Sequence, residues 1–263
     1  MEFMARNQRH TAGGGSRMWA LRVPRGGPHI GAAIPRCIVQ TWHANSAASL
    51  PAAVKRRIAG FAPGFQYRYF SDRACMDFLE RNYGSAHKRK FQEIKLGAHR
   101  ADFFRYCYLY LRGGVYMDID MEPLAPLAEV MKGVPLGTLV SCLELSRSGV
   151  FQSFLATPPR HPLFRVLINE FFSRNLVHGS PPYYTYFTHH MGLVLKRWKG
   201  TLLRGGLQTL RDGSSLFLLE EVAQRDRAKQ KNIYVAGGGR ILFKSHSDLY
   251  SAQSGGRKSS FKN

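Results

Sequence analysis

Negative charge is what this 263-residue chain has least of, with 17 Asp plus Glu against 38 Lys plus Arg and a formal net charge of +21. A field of that sign gathers anions, so nucleic acid, an anionic membrane surface and phosphorylated small molecules are the partner classes it admits. Long apolar runs are missing as well. No stretch approaches the roughly 18 residues that a membrane-crossing helix needs, which excludes a helical span in this sequence. Cysteines are few, Cys37, Cys75, Cys107 and Cys142, and none forms a CxxC pair. That spacing excludes a thiolate zinc site and reads as buried thiols, with one or two disulfides left open if the chain is secretory. Signatures of an RRM, KH, helix-turn-helix or zinc-finger module are absent too. The basic clusters "VKRR", "HKRK" and "LKRWK" therefore read as solvated faces.

What is present is globular: 44% of residues are hydrophobic and 12% aromatic, enough for a substantial core. Residues 1–33 carry five Arg, many Gly and a single acidic residue, without the apolar centre of a signal peptide. They are expected to form a disordered basic tail, as is the Gly/Ser-rich stretch 251–263. Residues 34–250 are left as one domain. With neither a span nor a signal peptide, a cytoplasmic or membrane-peripheral location is expected rather than the Golgi lumen.

Within that domain, "IPRCIVQTW" (34–42) reads as a buried strand and "AAVKRRIAGFAP" as a short helix stopped by Gly60 and Pro63. "FQYRYF" (65–70) is a second strand, followed by an amphipathic helix capped by Ser71 or Asp72 and closed by Gly84. Strand and helix alternating at this spacing predict an α/β domain with a mixed, mostly parallel sheet flanked by helices. A further helix is predicted from about Leu96 to Arg112, ended by Gly113-Gly114, and then "VYMDIDM" alternates as a strand. Beyond it, helices are predicted at "LFRVLINEFFSRNLV" and "TYFTHHMGLVLKRWK". Strands are predicted at "SSLFLLEE", at "NIYVA" and after the "GGGR" turn.

Three aspartates crowd this acid-poor chain between residues 97 and 126. On a strand Tyr116, Asp118 and Asp120 would share one face, with Val115, Met117 and Ile119 on the other. Two parallel carboxylates repel unless a cation lies between them, and a hard divalent ion that completes its shell with phosphate oxygens and water satisfies the pair. Asp102 and Arg105 fall on one face of the preceding helix, an acceptor and a fixed cation within a turn. Glycoside hydrolysis fits less well. It needs two carboxyls facing each other across a bond, and these would point the same way.

"IPRCIVQTW" together with "ADFFRYCYLYLRGGVYMDIDMEPL" resembles glycosyltransferase family 32, the DXD-containing sugar-binding group of the yeast initiating mannosyltransferases. "LATPPRHPLFRVLINEFF" is similar to a later segment of that family. The resemblance implies a GT-A type nucleotide-diphospho-sugar transferase fold. It also implies a retaining hexosyltransferase that takes a UDP- or GDP-sugar with Mn²⁺ or Mg²⁺ and passes the sugar to a glycan, glycolipid or protein. Carried over residue by residue, it implies Asp102, Arg105 and Asp120 as catalytic, and Trp42, Asp102, Arg105, Tyr116 and Asp118 as donor-binding. Asp118, Asp120 and His246 would hold the metal. Phe103, Phe104 and Cys107 are assigned to the core. Peripheral contact with an anionic membrane is also expected, and nucleic acid is not. The rival from another class is a non-catalytic basic protein that binds nucleic acid or an anionic membrane on a degenerate GT-A scaffold.

Overall fold

The structure is a computed structural model that describes residues 31–42, 50, 52–173, 186–225 and 231–245. Most of the tails expected at 1–33 and 251–263, and His246, lie outside the described residues. The elements run β1 (Cys37–Thr41), α1 (Ala52–Phe61), β2 (Gln66–Phe70), α2 (Asp72–Tyr83), α3 (Ser85–Glu93), α4 (Gly97–Arg112), β3 (Gly114–Met117) and β4 (Glu122–Pro123). They continue as α5 (Leu127–Val130), β5 (Thr138–Leu143), β6 (Val150–Thr157), α6 (Pro162–Ser173) and α7 (Tyr186–Lys199). The last are β7 (Gly206–Thr209), β8 (Ser215–Arg225), β9 (Lys231–Gly237) and β10 (Arg240–Ser245). Among the described residues no helix is long and apolar enough to cross a membrane.

The α/β class read from the sequence is the one observed, a mixed sheet with helices on both faces, although only three of its nine strand pairings among the described residues are parallel. Its order is β2-β1-β3-β6-β5-β8-β9-β10-β4, with β7 beside β8. Parallel pairing joins β1 to β2, β1 to β3 and β5 to β8, while the other pairs are antiparallel. The strand-helix repeats at the start of the chain make the parallel β1–β2 and β1–β3 pairs, and β5 and β8, far apart in the chain, make the third. Later strands return by short connections, which permit only antiparallel neighbours.

Alternation along the strands feeds two cores. Val39, Tyr116, Leu139, Leu143, Val150 and Leu155 face α2, α3, α4, α6 and α7, whereas Ile38, Val115, Met117, Val140 and Phe154 face α1 and α5. Helix α4 is the centrepiece of the first core. Every residue from Phe103 to Tyr110 is buried, so it has no solvated face through that stretch. All four cysteines are buried and free, as the sequence reading expected, and Cys107 packs in this core with Phe103 and Phe104. Ser71 is the cap of α2, its hydroxyl accepting from the Ala74 N–H at 3.3 Å.

Two glycines turn α4 into β3. Gly113, at φ 61°, donates its N–H to Leu109 O at 2.9 Å, and Gly114 follows at φ 103°. A Cβ at Gly113 would lie 2.6 Å from Pro159 N and 2.8 Å from Thr157 O, both backbone atoms that cannot swing aside. Gly113→Ala is therefore expected to destabilise the protein by more than about 1 kcal/mol, read from the midpoint of urea unfolding.

His87 sits in the same core, its ring 4.7 Å from Tyr83, 4.5 Å from Phe172 and 6.0 Å from Phe103. Neither ring nitrogen has a hydrogen-bond partner among the described residues, and burial pushes the imidazole down to about 4. Between that value and the ordinary one near 6.5 the unfolded chain binds the proton and the folded protein does not. The contribution of neutral His87 is thus complete above pH ~6.5 and lost as the pH falls toward ~4. His87→Phe is expected to flatten that acid limb in a series of unfolding midpoints from pH 7 to 4.

Candidate active site

The turn at Gly113-Gly114 sends β3 back along α4. Arg105 stands about 12 Å of helix before that turn and Asp118 about 13 Å of strand after it, so the two arrive level with each other. Their side chains meet: Arg105 Nη2 lies 3.1 Å from Asp118 Oδ1 and 3.3 Å from Asp102 Oδ1. The other Arg105 donors go to backbone. Nε reaches Ala101 O at 3.3 Å, Nη1 bonds Gln152 O, and the guanidinium lies 4.1 Å from the centre of the Tyr116 ring. Tyr116 donates its hydroxyl to Asp118 Oδ1 at 3.0 Å. Having one proton, it then accepts from Thr41 Oγ1 at 2.8 Å.

Burial sets the electrostatics. The Arg105 side chain is 3% exposed, Asp102 10% and Asp118 17%. Burial alone would depress the Arg105 guanidinium, but Asp118, Tyr116 and Asp102 around it hold it above its ordinary range. The Asp102 carboxyl is pushed up to about 7, chiefly by burial; Arg105 pulls it down and Asp118 pushes it up. Burial likewise drives the Tyr116 phenol well up, so it stays a donor at neutral pH.

The structure departs from the sequence reading at the Asp-x-Asp itself. The expected strand "VYMDIDM" ends at Met117, and Asp118 to Met121 form a turn closed by Met121 N–H to Asp118 O at 3.2 Å. The Asp118 N–H still bonds Ser153 O at 2.8 Å, but no strand carries Asp118 and Asp120 on one face. The cause is hydrophobic. Ile119 leaves the face of Val115 and Met117 to be buried with Leu50 and Val54, so the chain must turn at Asp118. Asp120 is half-buried in that turn. Trp42 packs partly buried on the Ile119 cluster, its carbonyl accepting from the Tyr69 hydroxyl at 3.1 Å.

Asp102, Arg105, Tyr116 and Asp118 are thus joined in one network, and Trp42 and Asp120 lie at the turn beside it. Thr41 and Gln152 were not anticipated. Thr41 stands next to Trp42 and could have been found as the neighbour whose side chain shares Tyr116's face. Gln152 contributes a backbone carbonyl, which leaves no mark in a sequence. Removing the cation would strand two carboxylates in a buried place. Arg105→Met is expected to cost about 3–5 kcal/mol of stability. The loss should be smaller at pH 5 than at pH 8, where Asp102 can no longer be neutralised by a proton, and denaturant unfolding at the two pH values checks it.

The network lies within a segment that is similar to a known family. Residues 52–135 match the family described as glycosyltransferase sugar-binding region containing DXD motif. An uncharacterized glycosyltransferase of Acanthamoeba polyphaga mimivirus is 26% identical over 148 residues, 54% of this chain and 57% of its own length. The initiation-specific alpha-1,6-mannosyltransferase of Saccharomyces cerevisiae is 34% identical over 104 residues, 36% of this chain and 22% of its own. The mannosyl phosphorylinositol ceramide synthase CSH1 of the same yeast is 23% identical over 194 residues, 67% of this chain and 47% of its own. The chain therefore spans between about a fifth and three fifths of the length of these relatives. Among solved structures, the PaToxG glycosyltransferase aligns over 61% of this chain and 67% of its own at 12% identity with a TM-score of 0.44, a distant likeness on which the assignment does not depend. The match agrees with the resemblance read in the sequence: residues 52–135 are similar to a glycosyltransferase sugar-binding region containing a DXD motif, and Asp118-Ile119-Asp120 lies within them.

Proposed function

We propose that the protein is a metal-dependent glycosyltransferase of GT-A type that moves a hexose from a nucleotide sugar to a glycan or glycolipid. The observation that carries this is the buried network of Asp102, Arg105, Tyr116 and Asp118 inside the matched segment. The mannosyltransferase names of several relatives favour mannose as the sugar. The inositol phosphoceramide in some of those names favours an acceptor that carries a polyol and a phosphate.

The donor set suits a divalent cation. Among the described residues both side-chain donors to Asp118 fall on Oδ1, so Oδ2 takes no part in the network they form. Asp102 and Asp118 share one guanidinium, and Asp120 lies in the adjoining turn, so carboxylates concentrate here within a chain of charge +21. Among the described residues no three His, Cys, Asp or Glu side chains come together as a metal site. An ion here would be held by one or two carboxylates and completed by substrate phosphates and water, as Mg²⁺ commonly is. Asp118 and Asp120 would hold it, as Mn²⁺ or Mg²⁺. Bound there, it would neutralise charge that develops on the leaving nucleoside diphosphate.

The chain's own residues do the rest. Arg105 fixes the orientation of Asp118 and presents its charge under the Tyr116 ring. Asp102, its carboxyl raised toward neutral pH chiefly by burial, can accept from or donate to a hydroxyl of the donor sugar. Trp42, on the Ile119 cluster, offers its indole to the nucleotide base. The rival reading, a non-catalytic binder of nucleic acid or anionic membrane, gives this buried network nothing to do.

Thermal unfolding with Mn²⁺ and GDP- or UDP-mannose tests the proposal. At about 100 times its dissociation constant the donor should stabilise the protein by ~2.7 kcal/mol, only with metal present, and Asp120→Asn should abolish the effect. A flat response to every nucleotide sugar from folded protein would sink it.

A further inference from the structure

Strand β1 carries a polar side chain with no solvent to face. Gln40 is 0% exposed, and both ends of its amide are engaged. Nε2 donates to Met117 O at 3.2 Å and to Asp118 O at 3.4 Å, while Oε1 accepts from the Tyr67 hydroxyl at 3.0 Å. The chemistry fixes which end is which. A main-chain carbonyl only accepts, so the end of the amide beside Met117 O and Asp118 O has to be the NH₂. That leaves the amide oxygen for Tyr67. Burial, and then Tyr69, push the Tyr67 phenol up to about 12, so it remains a donor at neutral pH.

Successive residues of a strand point to opposite faces. Ile38 packs in the core under α1 and Val39 in the core under α4, so Gln40 falls on the α1 side and Thr41 on the α4 side. Tyr67, paired with Ile38 in the β1–β2 register, shares the face of Gln40. On the α4 side Thr41 Oγ1 lies 2.8 Å from the Tyr116 hydroxyl, which donates to Asp118 Oδ1. The end of β1 therefore grips Asp118 from both faces of the sheet, by its carboxylate through Thr41 and Tyr116 and by its main-chain carbonyl through Gln40.

That carbonyl has a second task. The Met121 N–H donates to it at 3.2 Å and closes the turn that contains Asp120. One oxygen, with two lone pairs, thus takes both the Gln40 amide and the turn. The register of β1 with β3 runs Ile38–Val115 and Val39–Tyr116, and the Gln40 side chain bridges the strands just beyond it, where β3 gives way to the turn. Rotation of the peptide after Asp118 would move the Asp118 carboxylate and Asp120 together. Tyr67 itself packs, partly buried, on the Ile119 cluster with Trp42 and Tyr69, so the hydroxyl that orients the amide belongs to the cluster that ends β3.

We propose that Gln40, oriented by Tyr67, is the positioning residue of the cation site, holding the peptide from which Asp118 and the turn to Asp120 are aimed. The inference rests on the reading of Asp118 and Asp120 as ligands of an ion that carries a nucleotide sugar. The experiment follows the thermal unfolding midpoint at a fixed concentration of GDP-mannose and, separately, of UDP-mannose while Mn²⁺ is raised. It reads the Mn²⁺ concentration that gives half of the donor-induced stabilisation, in the wild type, in Gln40→Met and in Tyr67→Phe.

Gln40→Met keeps the length of the side chain and removes its donor, and it should need about tenfold more Mn²⁺, the lower end of what loss of an outer-shell partner costs a metal site. Tyr67→Phe leaves the amide in place but free to turn, and should move the same way by less. A role confined to stability would lower the midpoint without ligand and leave the half-maximal Mn²⁺ unchanged, and that result in Gln40→Met overturns the inference. Should Gln40→Met fail to fold, Tyr67→Phe, which loses a single oxygen, decides by the same criterion. A wild type that shows no metal-dependent stabilisation by either nucleotide sugar overturns the transferase reading, and the inference with it, before any variant is compared.

Discussion

A guanidinium does not shed its proton inside a protein and cannot be buried without partners. Arg105, 2% exposed in the middle of a helix buried on all sides, therefore dictates what surrounds it. Asp102 supplies one acceptor from the previous turn of α4, but at 3.3 Å and with its own carboxyl pushed up to about 7 it is an incomplete counter-charge. Asp118, the Gln152 carbonyl, the Ala101 carbonyl and the Tyr116 ring complete the shell. These acceptors come from three elements, so the network holds only if α4, β3 and β6 keep their mutual register.

That register follows from chain geometry. A helix rises ~1.5 Å per residue and a strand ~3.3 Å, so a tight helix-to-strand reversal pairs residues at unequal spacing about the turn. Arg105 and Asp118 satisfy that ratio about Gly113-Gly114. The strand cannot enter anywhere else, because Gly114 passes against Cys37 O of β1 on one side and Gly113 against Thr157 O and Pro159 N on the other. Backbone sterics at two glycines thus position a charge pair some 12–13 Å away.

How much of this was legible in the sequence depends on which signal carried it. Helix α4 and its end were readable because a Gly-Gly cap is local chemistry, and the partnership of Asp102 with Arg105 because i,i+3 spacing is fixed by the helix. The length of β3 was not. Alternation continues through Ile119, and only the tertiary fact that Ile119 is buried with Leu50 and Val54 ends the strand at Met117. Strands β5 and β6 went unread for the opposite reason. All their residues are buried, so neither shows the polar alternation that marks a half-exposed strand. Gln152 shows the remaining limit, since its contribution to Arg105 is a carbonyl that every residue possesses.

The contrast between a strongly basic chain and an acidic site is one of range. Charges on the surface act through water in which the Debye length is about 8–10 Å, so the excess of Lys and Arg sets a broad field that favours the approach of anions. Asp102, Asp118 and Asp120 act at contact distance in a partly desolvated place, where two or three carboxylates outweigh a more distant field. In the proposed transferase the two do not compete. A nucleoside diphosphate is drawn by the first and retained, through a cation, by the second. Salt should therefore weaken its arrival more than its grip, because screening reaches the surface charges and not a pair whose guanidinium is 3% exposed.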